Sequence, residues 1–244
     1  MTPIDRSKYS RIVVLTGAGI SAGSGLRTYR GPDGVWEEHE VEKYGHADAL
    51  AQRPEETWRL FGGMRQPVLD AKPNAAHFAL AAWEADLHEG QEFLIVTQNV
   101  DGLHQRAGSK SVVELHGNIM YTKCSSATCS LARSRDEASH LDALPTCHLC
   151  GSVLRPDVVL FGEEIPALPS WSVKRALRDC DLFIAIGTSG LVTPAANYVR
   201  GAEYAGARTI LVNLEPMAQP NPAFKEQYLG PAETVLPELL ATGA

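Results

Sequence analysis

Gly17-Ala18-Gly19-Ile20-Ser21-Ala22-Gly23-Ser24-Gly25-Leu26-Arg27-Thr28-Tyr29-Arg30 is the stretch on which the reading of this chain turns. It follows Ile12-Val13-Val14-Leu15-Thr16, an apolar run of the kind that forms a strand buried in a parallel sheet. A strand that breaks into glycine, alanine and serine and then opens a helix is a way to hold phosphate. Small residues let backbone N–H groups approach the oxygens, and the helix N-terminus adds partial positive charge. The spacing departs from a dehydrogenase fingerprint: Ala22 stands where the third glycine would, and Gly25 lies beyond it. Taken alone, the loop predicts a nucleotide and no more.

Two further segments carry polar groups just past apolar runs. Thr97-Gln98-Asn99-Val100-Asp101-Gly102-Leu103-His104 follows Phe93-Leu94-Ile95-Val96, and Glu114-Leu115-His116-Gly117-Asn118 follows Val112-Val113. In open α/β sheets, ligands bind beyond the C-terminal ends of the strands. Strand-like runs at 12–16, 93–97, 112–115, 182–186 and 209–213 alternate with helical patterns at 75–87, 171–180 and 195–205. The alternation predicts an α/β fold, a doubly wound parallel sheet with helices on both faces. Residues 37–71 and 119–156 interrupt it, the first with a helix opening at Pro54, Glu55 and Glu56, the second with four cysteines. They are expected to form a smaller helical and metal-binding module beside a Rossmann-like part built from 1–36, 72–118 and 157–244, with a cleft between.

The 244 residues, 44% of them hydrophobic, suffice for one substantial core. A net charge of −7 disfavours non-specific nucleic-acid binding. No run approaches the roughly 20 apolar residues of a membrane span, and the N-terminus has no apolar stretch for secretion. A cytoplasmic location is the resulting expectation, with neither nucleic acid nor membrane as a partner.

Of five cysteines, Cys124 and Cys129 are separated by four residues and Cys147 and Cys150 by two, with seventeen between the pairs. Short loops of this kind let two thiolates converge on one ion, and four thiolates complete a tetrahedral zinc shell with no open position. Zinc here is expected to be structural. Disulfides are the competing account, and a reducing compartment argues against them. Cys180 reads as a buried packing thiol.

Taken in order, these motifs resemble the sirtuins, the NAD-dependent protein-lysine deacylases. The resemblance continues through Val158-Val159-Leu160-Phe161-Gly162-Glu163, Gly187-Thr188-Ser189 and Asn213-Leu214-Glu215, covering the chain from about residue 11 onward. It implies NAD as cofactor and acylated lysine side chains of proteins or peptides as substrate. It also implies roles: His116 as the base that activates a ribose hydroxyl, Asn99 with Gln98 at the nicotinamide ribose, and Asp101 on the carboxamide. Arg30 is placed at a phosphate or ribose, with Tyr29 covering the reactive ribose carbon. Gly17, Ala18, Gly19, Ala22, Gly187, Thr188 and Ser189 fall at the phosphates and adenine ribose. Asn213 and Glu215 fall at the adenosine hydroxyls, and Val100, Leu214 and Ala232 complete the cofactor set. Val159, Phe161 and Gly162 are expected on a strand that pairs with an extended substrate backbone.

The acyl pocket departs from the nearest branch. Gly34-Val35-Trp36, the 98–101 motif and Asn213-Leu214-Glu215 resemble the class III sirtuins, which remove succinyl and malonyl groups with a tyrosine and an arginine three residues apart. Counted back from Pro73-Asn74-Ala75-Ala76-His77, those positions are Phe61 and Met64. Arg65 adjoins them, but one helical step turns it roughly 100° away. A neutral acyl group, acetyl or longer, is therefore the expected substrate. Desuccinylation, mono-ADP-ribosyl transfer from the same NAD site, and a non-enzymatic NAD-sensing module are the alternatives.

Overall fold

A computed structural model of the chain describes residues 2–28 and 39–241. Six parallel strands form the main sheet: β1 (Arg11–Thr16), β2 (Glu92–Thr97), β3 (Val112–Glu114), β7 (Leu182–Ile186), β8 (Arg208–Asn213) and β9 (Glu226–Leu229), in the order β3-β2-β1-β7-β8-β9. Val14, Ile184 and Ile210 are fully buried in neighbouring central strands, the two-sided burial that their apolar runs demand. Helices α4 (Ala75–Ala85) and α8 (Ala232–Leu239) pack their Leu80, Trp83, Leu236 and Leu239 on one face. Helices α6 (Ala167–Arg178) and α7 (Tyr198–Tyr204) cover the other with Val173, Leu177 and Val199. The chain builds outward from β1 to β2 and β3, then returns across the sheet to β7 on the other side of β1, so the switch point of the sheet lies between β1 and β7.

Beside this sheet sits a three-stranded antiparallel one of order β5-β4-β6, from β4 (Gly117–Cys124), β5 (Ser134–Arg135) and β6 (Leu154–Val158). Helices α1 (His39–Tyr44), α2 (Ala47–Gln52) and α3 (Pro54–Asp70) belong to the same side of the molecule, α3 touching both β4 and β6. A short helix, α5 (Leu103–Arg106), follows the 98–102 segment. Among the described residues, no helix is long and apolar enough to cross a membrane.

One expectation needs correction, and two features go beyond the sequence. The helix that the glycine-rich loop opens is a 3-10 helix over Ala18–Ser24, closed by Gly25 with φ +83°. Residues 159–163 do not continue a strand: β6 stops at Val158, and Gly162 adopts φ +84°. The bidentate pairing of Arg155 with Glu163 and the bond from Leu160 N–H to Glu163 Oε2 at 2.8 Å fold this segment into a turn. Strand β9, Glu-Gln-Tyr-Leu at the sheet edge, is absent from the sequence reading because so short and polar a segment carries no apolar run.

Candidate active site

The C-terminal ends of β1, β2, β7 and β8 bring the sequence motifs to one edge of the sheet. Backbone closeness organises the centre. A side-chain carbon on Gly17 would lie 2.6 Å from the Gly187 carbonyl oxygen, and one on Gly187, whose φ is +60°, would lie 2.4 Å from the nitrogen of Ile20. The loops after β1 and β7 thus touch backbone to backbone. Their bonds follow: Gly17 N–H donates to Ile186 O at 2.9 Å and Gly19 N–H to Gly187 O at 3.0 Å. These two N–H groups are spent inside the protein, so at Gly17 and Gly19 the glycines supply close approach. Ala18 and Ala22 lie in the same turn, Ala22 O accepting the N–H of Gly25 at 2.9 Å.

The 98–101 segment lies against this loop. Asn99 Nδ2 donates to Gly17 O at 3.1 Å and to Ser21 Oγ at 3.3 Å, and Ser21 Oγ donates to Asp101 Oδ2 at 2.8 Å. Asn99 Oδ1 is buried without a partner among the described residues, an acceptor that a ligand's amide or hydroxyl can satisfy. Burial raises the Asp101 carboxyl above its usual range, against the pull of Leu103 N–H and Ser21. Gln98 Nε2 reaches Thr188 Oγ1 at 3.2 Å, linking the β2 and β7 loops. Val100 accepts from Ile119 N–H at 2.9 Å and turns its side chain toward the apolar cluster described below.

His116 occupies the turn between β3 and β4. Its Nδ1 lies 2.9 Å from the carbonyl oxygen of Gln98, which can only accept, so Nδ1 carries the proton and Nε2 of the neutral ring is the free base. Burial lowers the imidazole below its ordinary value, outweighing the opposite effect of the Gln98 bond. Gly117, at φ +79°, packs so tightly on β6 that a side-chain carbon would lie 2.0 Å from Asp157 O. Val159 N–H donates to His116 O at 2.9 Å, and Phe161 bridges to residues 45–47. The 159–162 segment therefore borders the histidine.

Around the other motifs the picture is mixed. Asn213 exchanges two bonds with the backbone of Thr188, leaving it a structural partner of the β7 loop. Ser189 Oγ accepts from Leu191 N–H at 3.4 Å. Leu214 and Glu215 are exposed just past β8, whereas Ala232 is buried at the start of α8. Tyr29, Arg30 and the 34–36 triplet lie outside the described residues.

Sequence reading missed the supporting residues. Ser21 was hidden inside a small-residue loop, yet it joins Asn99 to Asp101. Beneath them a buried chain runs from His104 Nε2 to Thr16 Oγ1 at 2.9 Å, on to Thr97 Oγ1 at 2.8 Å, and from there to Asn99 N–H at 3.1 Å. Asn74 caps α4 together with His77 and donates to Ile20 O at 2.8 Å, steadying the glycine loop. The Thr16 and Thr97 positions, polar residues ending apolar strands, were the available signal.

Phe61 and Met64 on α3 pack with Val68, Ile119, Val158 and Leu160 into an apolar cluster. Arg65 does not face it. Its guanidinium, 1% exposed, donates to Ile119 O at 2.9 Å and Thr122 Oγ1 at 2.7 Å, bonds Ala138 O, and pairs with Asp136 at 3.2 Å.

The Sγ atoms of Cys124, Cys129, Cys147 and Cys150 lie within 4.8 Å of one another, with Cys124–Cys150 at 3.5 Å and Cys129–Cys147 at 3.6 Å. A disulfide requires about 2.05 Å. A tetrahedral zinc with arms of about 2.3 Å has edges of roughly 3.8 Å, which these thiols fit. Cys180 is buried elsewhere in the sheet core.

The Sir2 family pattern matches residues 17–194. A Pasteurella multocida (strain Pm70) protein named NAD-dependent protein deacylase is 44% identical over 237 residues, covering 96% of this chain and 98% of that one. A solved Sir2 homologue–NAD complex superposes with a TM-score of 0.87 at 35% identity, covering 96% of this chain and 90% of the other. A Sir2 complex with a p53 peptide and NAD+ gives 0.82 at 32% identity, covering 95% and 92%. With the pattern spanning more than half its length and the relative matched almost end to end, the chain belongs to the Sir2 family.

Proposed function

We propose that this chain is an NAD-dependent protein-lysine deacylase for neutral acyl groups, with His116 as its general base. The observation that carries the reading is the bond from His116 Nδ1 to the Gln98 carbonyl. It leaves Nε2 basic beside the Gln98-Asn99-Asp101 segment, whose buried Asn99 Oδ1 awaits a donor. The relative named as a deacylase and the neighbour solved with a peptide and NAD+ support it.

NAD, when bound, supplies a nicotinamide that leaves and a ribose that accepts the acyl group. Asn99, Asp101 and Ser21 form the hydrogen-bonding group suited to the nicotinamide riboside, with the Gly17, Gly19 and Gly187 loops packed close beneath it. With NAD bound, His116 Nε2 would accept the proton of a ribose hydroxyl. Residues 159–162 border the lysine approach, and the acyl chain enters the cluster of Phe61, Met64, Ile119 and Leu160. Residues 39–71 and 117–158 form the smaller module, whose four thiolates are suited to hold a structural zinc.

Because Arg65 is committed to Ile119, Thr122 and Asp136, it does not serve a succinyl carboxylate. The test is nicotinamide release and free-lysine formation from an acyl-lysine peptide. His116→Ala should retain NAD binding and lose turnover by about 10²–10⁴-fold, the usual contribution of a general base. Near-normal turnover of the variant would reject the assignment.

A further inference from the structure

We propose that Arg65 is a specificity-positioning residue, fastening the helix that carries Phe61 and Met64 to the four-cysteine sheet, so that the acyl-pocket wall holds its place only while the metal module is intact. The proposal rests on the deacylase reading above. Helix α3 presents two faces about a quarter turn apart. Phe61, Met64 and Val68 line the apolar cluster, while Trp58 and Arg65 meet the small sheet and Gly62 meets the loop after β5.

That second contact is a weld rather than a loose packing. Trp58 Nε1 donates to Leu154 O on β6 at 2.7 Å, and its ring lies 4.8 Å from that of His140. The backbone at Gly62 leaves no room for a side-chain carbon, which would lie 2.0 Å from Ser139 O. Arg65 then forks across Ile119, Tyr121 and Thr122 of β4 and reaches Ala138 and Asp136 beyond β5. Thr122 Oγ1 donates to Asp136 Oδ2 at 2.7 Å, closing the network on itself. Cys124 ends the same strand two residues after Thr122. The path from thiolate to pocket wall therefore runs through Cys124, Thr122, Arg65 and Met64.

The physical consequence follows from the size of the module. Three short strands have little core of their own, and metal binding in such modules is part of folding. Losing the metal should release β4, and with it the acceptors that hold Arg65. Lysine cannot replace arginine here, since a point charge with three donors cannot span acceptors on several segments.

The test uses the metal-loaded chain with Arg65→Lys and, since Asp136 is partly exposed and its loss milder, Asp136→Asn. Acetyl-, butyryl- and longer aliphatic acyl-lysine peptides are compared by kcat/KM, with the KM for NAD and the metal content measured alongside. The ratio between the preferred and least-preferred chains should fall roughly fivefold, while the KM for NAD stays within about twofold and metal content is unchanged. In a separate arm, chelation of the wild-type metal is followed by hydrogen exchange. Amides of α3 should lose protection together with β4 and β6, while β1 and β7 keep theirs. Folded variants with the wild-type chain profile, or an α3 that stays protected after metal removal, would overturn the proposal. A wild-type chain inactive on every acyl peptide would instead overturn the functional reading, and the exchange arm distinguishes the two failures.

Discussion

Asn213 and Thr188 hold each other through a closed pair of hydrogen bonds: Thr188 N–H donates to Asn213 Oδ1 at 3.0 Å, and Asn213 Nδ2 donates to Thr188 O at 3.0 Å. The amide of Asn213 is thus occupied with the loop after β7, whose Thr188 hydroxyl accepts from Gln98. Asn213→Asp keeps the acceptor but places carboxylate oxygen against the Thr188 carbonyl. It should cost about 1–3 kcal/mol of stability and weaken NAD binding through the displaced loop. Thermal denaturation and calorimetric NAD titration would check this; weakened NAD binding with unchanged stability would mean that Asn213 meets the ligand directly.

The pH dependence of turnover follows from His116. In the role proposed above it works as a base in its neutral form, and burial holds its pKa below the ordinary histidine value. Activity should therefore persist as pH falls through about 6.5, the unperturbed value, and be lost only further down. The acid limb of kcat/KM against pH measures it. A limb centred above that value would show that His116 is stabilised as a cation and contradict the burial argument.

A second acid effect concerns stability. His77 and His104 lie with ring centres 5.0 Å apart, and burial pushes His77 down to about 4 and His104 to about 3, the latter aided by its neighbour. Both stay neutral in the fold, while the unfolded chain takes up protons below about 6.5. Their contribution is present above that pH and is lost as pH falls from about 6.5 toward 4 for His77 and toward 3 for His104. Each adds a slope approaching about 1.4 kcal/mol per pH unit within its window. Denaturant melts at a series of acidic pH values should show this slope, and His77→Gln should make it shallower. An unaltered slope in that variant would remove His77 from the account.

What was legible in the sequence, and what was not, follows the range of the interactions. Apolar runs such as Ile12–Leu15 and Phe183–Ile186 announce central strands because burial on both sides leaves no polar alternation. Motifs at strand ends were visible for the same reason: the switch from apolar to polar at Thr97 or His116 is local. Cysteine spacing also survives as a local pattern. Contacts between distant segments left no such trace. Nothing around Gly17 and Gly19 reveals that their N–H groups are taken by Ile186 at the end of β7 and by Gly187 just beyond it, or that Ser21 bridges Asn99 to Asp101. Arg65 is the clearest case, since helical periodicity could say only that it turned from the Phe61–Met64 face, and its acceptors lie more than fifty residues away.

The acyl group itself is the last prediction. Phe61 and Met64 pack with Ile119 and Leu160 in the apolar cluster proposed above as the acyl wall, and the neighbouring guanidinium is held elsewhere. Burying a succinyl carboxylate against such a wall costs several kcal/mol unless a cation pairs with it. Each buried methylene of a neutral chain gains about 0.8 kcal/mol, roughly fourfold in binding, until the space is filled, and Met64 can adapt its shape to the chain. Acetyl or longer neutral acyl-lysine should therefore be favoured over succinyl-lysine on one peptide sequence. Phe61→Tyr with Met64→Arg should shift activity toward succinyl by supplying the hydroxyl and the cation that the wall lacks. The comparison of kcat/KM across acetyl, butyryl, longer aliphatic and succinyl peptides decides it. A succinyl preference in the unaltered chain would require a cation to reach the pocket despite the Arg65 network.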